Sequence, residues 1–568
     1  MIRRKRATGL LAVLLTAGLV AAACGSSKKE NTTTGTTAKG SSSTAVENVP
    51  VGGTVTLGAE QEPDTADWIN INAGASWGAW TMAYQTMPRS YDFVKDGDSW
   101  KYQPSILLTG EPQLVTSPKQ VVTYKINPKA VWSDGQPITS TDYKYTWDQI
   151  AHGKDIYDRN GYAQIESVDD SKPDTAVVTF STPYAKWRSL FGGQFGIFPS
   201  HLLQGKDRNA EMKDGYTWSG GPFKVEKWEK GVGVTLLRND SYWGEKAKLD
   251  RVVFKFITDT AAQFQAFKAN EVLAIYPQPQ IATVDAMKSG GLDATQIVST
   301  KTANFEALWI NNEKPPFDNK VVRQAIGYAI DRDAIVKALF GGIDVNNAIN
   351  ALGAPILDKY SDLNAFSGYK KDSKKLDDLM KGDGWAKGGD GIWAKSGQRA
   401  SFQINSTAGN KRRELTEQVL QQQLKDAGFE LTIQNVKSSE LFGTIAPKGD
   451  FQLALYAQVN TDLDPSTCNL FCSKNIPSAA TNNSGNNWTR TNIPEADKQL
   501  TIVDTNLDEK ARQDAGKAAD KILADNAVSI PLDPLPTISL VSKKIVGPIQ
   551  DNPILSVFGN LNQWGVKP

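Results

Sequence analysis

A single long apolar run, Leu10 to Val20, stands at the head of this 568-residue chain, and no second one follows. Everything downstream must therefore bury its apolar side chains in domains that face water. A pore or transporter core would need several spans of about 20 apolar residues each. The run itself is too short to cross a bilayer as a mature helix. Arg3-Arg4-Lys5-Arg6 precede it and Ala21-Ala22-Ala23 follow it. A basic head, a greasy centre and small residues before a cut describe an export signal over residues 1–23.

Cys24 directly follows those alanines and resembles the lipobox cysteine of bacterial lipoproteins. In those proteins the thiol receives a diacylglycerol and becomes the mature N-terminus. Most lipoboxes carry Leu or Val three residues before the cysteine; here Ala21 takes that place and Val20 stands one residue earlier. The alternative is an ordinary secretory signal that a cysteine happens to follow. Lipidation of Cys24 implies a protein outside the cytoplasm, anchored to the cell membrane yet not embedded in it. Residues 25–44 then hold eleven Ser or Thr, three Gly and no large apolar side chain. Such a stretch buries too little to order itself, so residues 24–49 read as a tether. A coil of about twenty residues spans on the order of 25 Å.

Without residues 1–23 the chain keeps 545 of its 568 residues, too many for one core, so two or three domains are expected. Residues 1–23 hold four basic side chains and no acid, so removing them takes the formal net charge from +1 to −3. A nucleic-acid binder would be strongly basic, which argues against that partner. The chain has two histidines, His152 and His201. Nucleophilic triads and His-rich zinc sites would have to recruit one of them, and both read as helix-end or turn residues. No catalytic residue, metal or cofactor is expected. Cys468 and Cys472, an even pair in an oxidising compartment, read as a disulfide.

The body alternates α and β patterns. Val121 to Ile126, Ala176 to Phe180, Val232 to Arg238, Val252 to Ile257, Glu430 to Val436 and Phe451 to Tyr456 read as strands. Thr141 to Ile150, capped by Ser140 or Thr141, and Thr260 to Ala269 read as helices. Between Asn319 and Ile330, apolar residues repeat at four-residue spacing and predict one buried stripe; Asp331 caps the next helix. Glu414 to Ala427 reads as an amphipathic helix stopped at Gly428.

Several segments, in order, resemble the extracytoplasmic solute-binding proteins of family 5, the peptide- and nickel-type receptors of ABC importers. They are Val122 to Pro128 with Trp132-Ser133-Asp134-Gly135 and Thr141-Asp142-Tyr143; Gly220-Gly221-Pro222-Phe223 with Arg238 to Gly244; Pro315 to Asn319 with Val322 to Ala325 and Ala329 to Arg332; and Asp450-Phe451 with Asp464-Pro465. The resemblance implies an α/β, two-lobed, periplasmic-binding-protein-like fold with a hinge, a ligand cleft and a domain inserted in the first lobe. The first lobe would take residues 50–85, 215–305 and 530–568, the inserted domain 86–214 and the second lobe 306–529. It implies a monomer that hands a peptide-like ligand to the permease subunits of an importer.

In the peptide receptors of this family an aspartate four residues before the proline often meets the ligand's ammonium. Thr461 holds that place here, with Asp462 one residue later and Asp464 directly before Pro465. The polar loop Gln458-Val459-Asn460-Thr461-Asp462-Leu463-Asp464 follows a strand, where open α/β lobes present ligand groups. Trp77, Tyr84 and Trp488 are candidate platforms for peptide side chains or sugar rings. Arg412 is a candidate for an anionic ligand end, with a solvated helix face as the plainer reading of Arg412-Arg413. An oligosaccharide receptor on the same scaffold, an exported carboxylate-pair glycosidase and a surface receptor or chaperone are the competing functions.

Overall fold

Two β-sheets organise the computed structural model, and the chain passes from one to the other twice. The structure describes residues 49–71, 79–97, 99–192, 196–276, 279–343, 345–465, 467–481 and 483–567. The expectations for residues 1–48, Cys24 among them, and for Trp77 lie outside these residues. The described part belongs to one compact unit, and none of its helices is long and apolar enough to cross a membrane.

The first sheet runs Ala294–Ser299, Thr537–Ser542, Ala274–Ile275, Thr54–Ala59, Arg251–Phe256, Gly233–Arg238, Phe223–Glu229. Thr54–Ala59 is parallel to both its neighbours and the other pairs are antiparallel. Alternation in this strand sends Val55 and Leu57 into the core.

The second sheet runs Glu430–Ile433, Ser401–Asn405, Leu453–Val459, Asn304–Ile310, Ser529–Asp533. Asn304–Ile310 is buried at every residue, as befits a strand covered on both faces. The predicted apolar stripe forms the helix Lys320–Ala329, which buries Val322, Ala325, Ile326 and Ala329 and starts where Asn319 accepts from the Val321 N–H at 2.9 Å. Asp331 caps Arg332–Phe340 by accepting from the Ala334 N–H at 2.9 Å. Cys468 and Cys472, one helical turn apart in this half, are bonded to each other, with Cα atoms 4.7 Å apart.

Between Thr86 and Phe223 the chain builds a hairpin, Tyr91–Asp96 with Ser99–Pro104, and a four-stranded antiparallel sheet ordered Gln113–Val115, Val121–Lys125, Thr175–Phe180, Ile165–Lys172. The helix Ser140–His152 covers this sheet and starts one residue earlier than predicted, because Asp142 accepts from the Thr139 N–H at 2.9 Å. Val122, Tyr124 and Trp132 share one apolar core with Val55, Leu57 and Phe254 of the seven-stranded sheet. The five-stranded sheet has a core of its own. The architecture is a two-lobed α/β fold with a domain inserted in the first lobe.

Both histidines sit at helix ends. His152 pairs with Asp148 at 3.1 Å, and His201 with Asp134 at 2.8 Å.

Sheet membership changes between Ser299 and Asn304 and again between Asp533 and Thr537. Thr302 ties the two crossings together: its Oγ1 lies 3.1 and 3.2 Å from the carbonyl oxygens of Pro534 and Leu535. Leu535 takes a left-handed backbone at φ 36°, a conformation that side chains with a Cβ adopt at a cost. Two short, tethered crossings are the ingredients of a hinge.

Candidate ligand-binding site

The strand Leu453–Val459 runs to the crossings and carries one open edge. It pairs antiparallel with Asn304–Ile310, in a register that sets Val459 opposite Asn304 and Leu453 opposite Ile310. Just past the strand, the Asn460 N–H donates to the Ala303 carbonyl at 3.1 Å. Hydrogen-bonding residues alternate along an antiparallel pair. Tyr456 and Gln458 therefore turn their backbone groups toward Asn304–Ile310, while Leu455, Ala457 and Val459 turn theirs to the other side.

On that other side the parallel neighbour Ser401–Asn405 reaches no further than Leu453 and Ala454. The Ser406 hydroxyl caps the Leu455 carbonyl at 2.7 Å. Among the described residues no strand lies against Ala457 and Val459. Gln458 and Val459, expected in a loop, belong to this strand, which runs past its predicted end at Tyr456. The available groups are backbone amides and carbonyls, which no reading of side chains could single out.

The remaining candidates fall into three groups. Tyr84, on the helix Ala79–Thr86, is buried; its phenol donates to Asp92 at 3.1 Å, and the Arg89 guanidinium covers its ring. It shares a small apolar cluster with Phe93, Ala303, Ile554 and Leu555, against which Val459 and Leu463 pack. Trp488 is a buried wall beside the open strand: its ring lies 6.0 Å from Phe442 and 5.8 Å from Tyr456, and its Nε1 donates to the Gly485 carbonyl at 3.2 Å. The half-buried Gln458 amide lies 3.3 Å from the Val459 carbonyl. Asn460 is buried and holds the crossing through Nδ2 to the Ala303 carbonyl at 2.7 Å. Thr461 is half-buried.

Arg412 overturns the expectation of a solvated helix face. The helix begins at Lys411, three residues before its predicted start, capped by Asn410. Its first turn faces the sheet, so Arg412 and Arg413 are 1% and 2% exposed and both grip Glu306 on Asn304–Ile310, Arg413 at 2.5 Å. Asp533, the last residue before the second crossing, stands 3.9 Å from Arg412. Burial alone would raise the Glu306 carboxyl, yet the two guanidiniums hold it below the usual range. The Arg412 N–H meets Gln280 of the first lobe at 2.9 Å. This cluster thus lies where the two lobes approach each other beside the crossings.

Asp462 and Asp464 end the strand loop against the inserted domain. Asp464 pairs with Arg512 at 2.6 Å, and its own N–H donates to Asp462 at 2.8 Å. The Tyr102 phenol accepts from the Leu463 N–H at 3.0 Å. Burial pushes the Asp462 carboxyl up to about 7, with Lys186 opposing and Asp464 adding to the rise. Beside this loop opens a cavity of about 420 Å³ bounded by Tyr102, Leu463, Asp464 and Arg512. A larger one, about 690 Å³, lies between Phe93, Trp100, Lys301, Ile356 and Leu463. No group of three or more His, Cys, Asp or Glu among the described residues is arranged to hold a metal.

Residues 109–476 match the sequence profile of the bacterial extracellular solute-binding proteins, family 5. The oligopeptide-binding protein OppA of Mycobacterium tuberculosis is 27% identical over 511 residues, covering 85% of this chain and 80% of its own length. Among solved structures, the oligopeptide-binding protein AppA from Bacillus subtilis, in complex with a nonapeptide, superposes with a TM-score of 0.80 at 20% identity. That match covers 92% of this chain and 100% of the other. The periplasmic EDTA-binding protein EppA superposes with a TM-score of 0.79 at 21% identity over 92% of this chain and 98% of its own. The family consists of solute-binding proteins and not of enzymes. With its profile match spanning more than half the sequence and its two lobes joined by two crossings, the chain belongs to the bacterial extracellular solute-binding proteins, family 5.

Proposed function

We propose that this chain is the substrate-binding receptor of an ABC importer, that it captures an extended oligopeptide between its lobes, and that a lipid on Cys24 keeps it at the membrane. The open edge at Ala457 and Val459 carries the reading. An extended peptide offers an N–H and a C=O at every residue and can add itself to such an edge as one more strand, its side chains alternating outward. The oligopeptide binders among its relatives support the same ligand class. A sugar would need exposed aromatic platforms, whereas Trp488 is packed into the second core. On this reading the lobes part at the two crossings, between Ser299 and Asn304 and between Asp533 and Thr537, a few residues from the expected boundaries at 305/306 and 529/530, with residues 86–214 inserted in the first lobe. Ligand touches both lobes only when they are shut, and so draws the equilibrium toward the shut form.

The test uses a defined heptapeptide series, a series of maltooligosaccharides and the full mature chain. Heptapeptides at one hundred times Kd should stabilise the fold by about 2.7 kcal/mol, read as a rise in Tm, and sugars should not. Moving an N-methyl group along the best heptapeptide should weaken binding roughly 5- to 150-fold at alternate positions only, the effect of stranding a buried polar group. Equal tolerance of N-methylation at every position would rule out strand addition. Stabilisation by sugars alone would reassign the ligand.

A further inference from the structure

We infer that Lys186 is a latch by which the inserted domain holds the second lobe shut. Closure is usually ascribed to ligand bridging the lobes, but here the inserted domain makes a buried polar contact of its own with the second lobe. Lys186 follows the strand Thr175–Phe180 and is 5% exposed. Its ammonium donates to the Pro465 carbonyl at 3.1 Å and stands 3.3 Å from Asp504, which is 1% exposed on the helix Pro494–Thr505. The Ala185 N–H donates to the Asp504 carbonyl at 2.7 Å. From the other direction, Asn469 of the second lobe donates to Asp158 of the inserted domain at 2.8 Å. The Leu463 N–H and the Tyr102 phenol complete the contact.

The charges around the ammonium do not balance. From the inserted domain it faces Asp158 and Tyr184, and from the second lobe Asp462, Asp464 and Asp504; of these acids Arg512 pairs only with Asp464, and it also pairs with Glu509. Asp158, Asp462 and Asp504 thus share one cation. Burial raises Asp158, and burial followed by the acids Asp464 and Asp158 raises Asp462 to about 7.

Both acids gain exposure when the lobes part. A carboxyl whose pKa is higher in the shut form holds its proton more tightly there. Shutting is therefore strongest below the ordinary carboxylate range and weakens as pH rises to about 7, beyond which it levels off. One such group changes the equilibrium by at most about tenfold per pH unit in that window. Solvent screening of the half-buried Asp462 makes its own share smaller. The cavity of about 420 Å³ beside Leu463 and Asp464 is lined by Ala185 as well. The latch rests on the lobes opening and closing, and not on the ligand being a peptide.

Hydrogen exchange of the full mature chain, with no ligand added, reads the latch directly. The Ala185 and Leu463 amides bond across the interface, whereas Val55 and Leu57 report on the seven-stranded core. Wild-type protection factors at Ala185 and Leu463 should fall as pH rises from about 4 to 7, and Asp462→Asn should flatten that dependence. Lys186→Met should lower both factors roughly tenfold or more with Val55 and Leu57 unchanged. Should Lys186→Met lose core protection as well, the near-isosteric Asp504→Asn serves instead, with the same expected loss. Unprotected Ala185 and Leu463 amides in the wild type, or full protection in whichever variant folds, would overturn the latch. Because no ligand is added, that failure leaves the peptide reading standing.

Discussion

Replacing Glu306 with glutamine is expected to lower the Tm of the five-stranded half by on the order of 10 °C. Glutamine keeps the shape and removes the charge, leaving Arg412 and Arg413 buried on the first turn of Lys411–Ala427 with their main counter-ion gone. Breaking a buried ion pair from one side costs about 3–5 kcal/mol, because the remaining charge stays desolvated. For a cooperative unit of 150–250 residues each kcal/mol moves Tm by roughly 2–4 °C.

Asp533 supplies a second signature. Burial first, and then the neighbouring Glu306, raise its carboxyl, while Arg412 pulls the other way. Without the Glu306 charge, Asp533 should ionise more readily and become the counter-ion to Arg412. A carboxyl whose pKa is higher in the folded chain than in the unfolded one binds its proton more tightly when folded, so Asp533, raised to about 7, should make the wild type gain Tm as pH falls from 7 to 5. In the variant, where Asp533 ionises more readily, that gain should shrink. Differential scanning calorimetry across that range reads both effects. A Tm within 2 °C of wild type at pH 7 would show that the cluster is not what holds this helix to its sheet.

The lobes and the site differ in how much of each could be read in advance. Local signals were enough for the helix Lys320–Ala329 and its Asn319 cap, for Asp331 as the next cap and for most strand positions. The motif around Pro315 to Asn319 carried the family. The start of Lys411–Ala427 escapes local pattern because Lys-Arg-Arg reads as a wet surface, and only a carboxylate on a strand far earlier in the chain makes the burial of Arg412 and Arg413 tolerable. Asn460, a candidate for its side chain, is spent on the Ala303 carbonyl. The open edge at Ala457 and Val459 depends on where Ser401–Asn405 stops, a tertiary fact with no local signature. Lys186 and Asp504 are likewise ordinary charged residues until the fold sets them 3.3 Å apart. Local pattern specifies elements; long-range pairing decides which polar groups are left to work.

Cys24→Ala should move nearly all of the protein from the membrane fraction to the soluble fraction. On the proposed reading, a receptor that meets its importer by diffusion along a surface needs an anchor that lets it turn and close, and lipid on Cys24 would give both. Two acyl chains would be needed: a single chain of myristoyl length binds a bilayer with only about 10⁴ M⁻¹, which is marginal. The substitution is informative because export should survive it. Ala21 and Ala23 already provide the small-residue pattern that ordinary signal cleavage reads, so the variant should be released and not retained through Leu10 to Val20. Intact-mass measurement then separates the alternatives. Wild-type protein should begin at Cys24 and carry the diacylglycerol mass, and the variant should begin after residue 23 or nearby without it. An unmodified Cys24 in the wild type, or a cleaved variant that stays with the membrane, would mean that something other than lipid on this cysteine sets the protein's address.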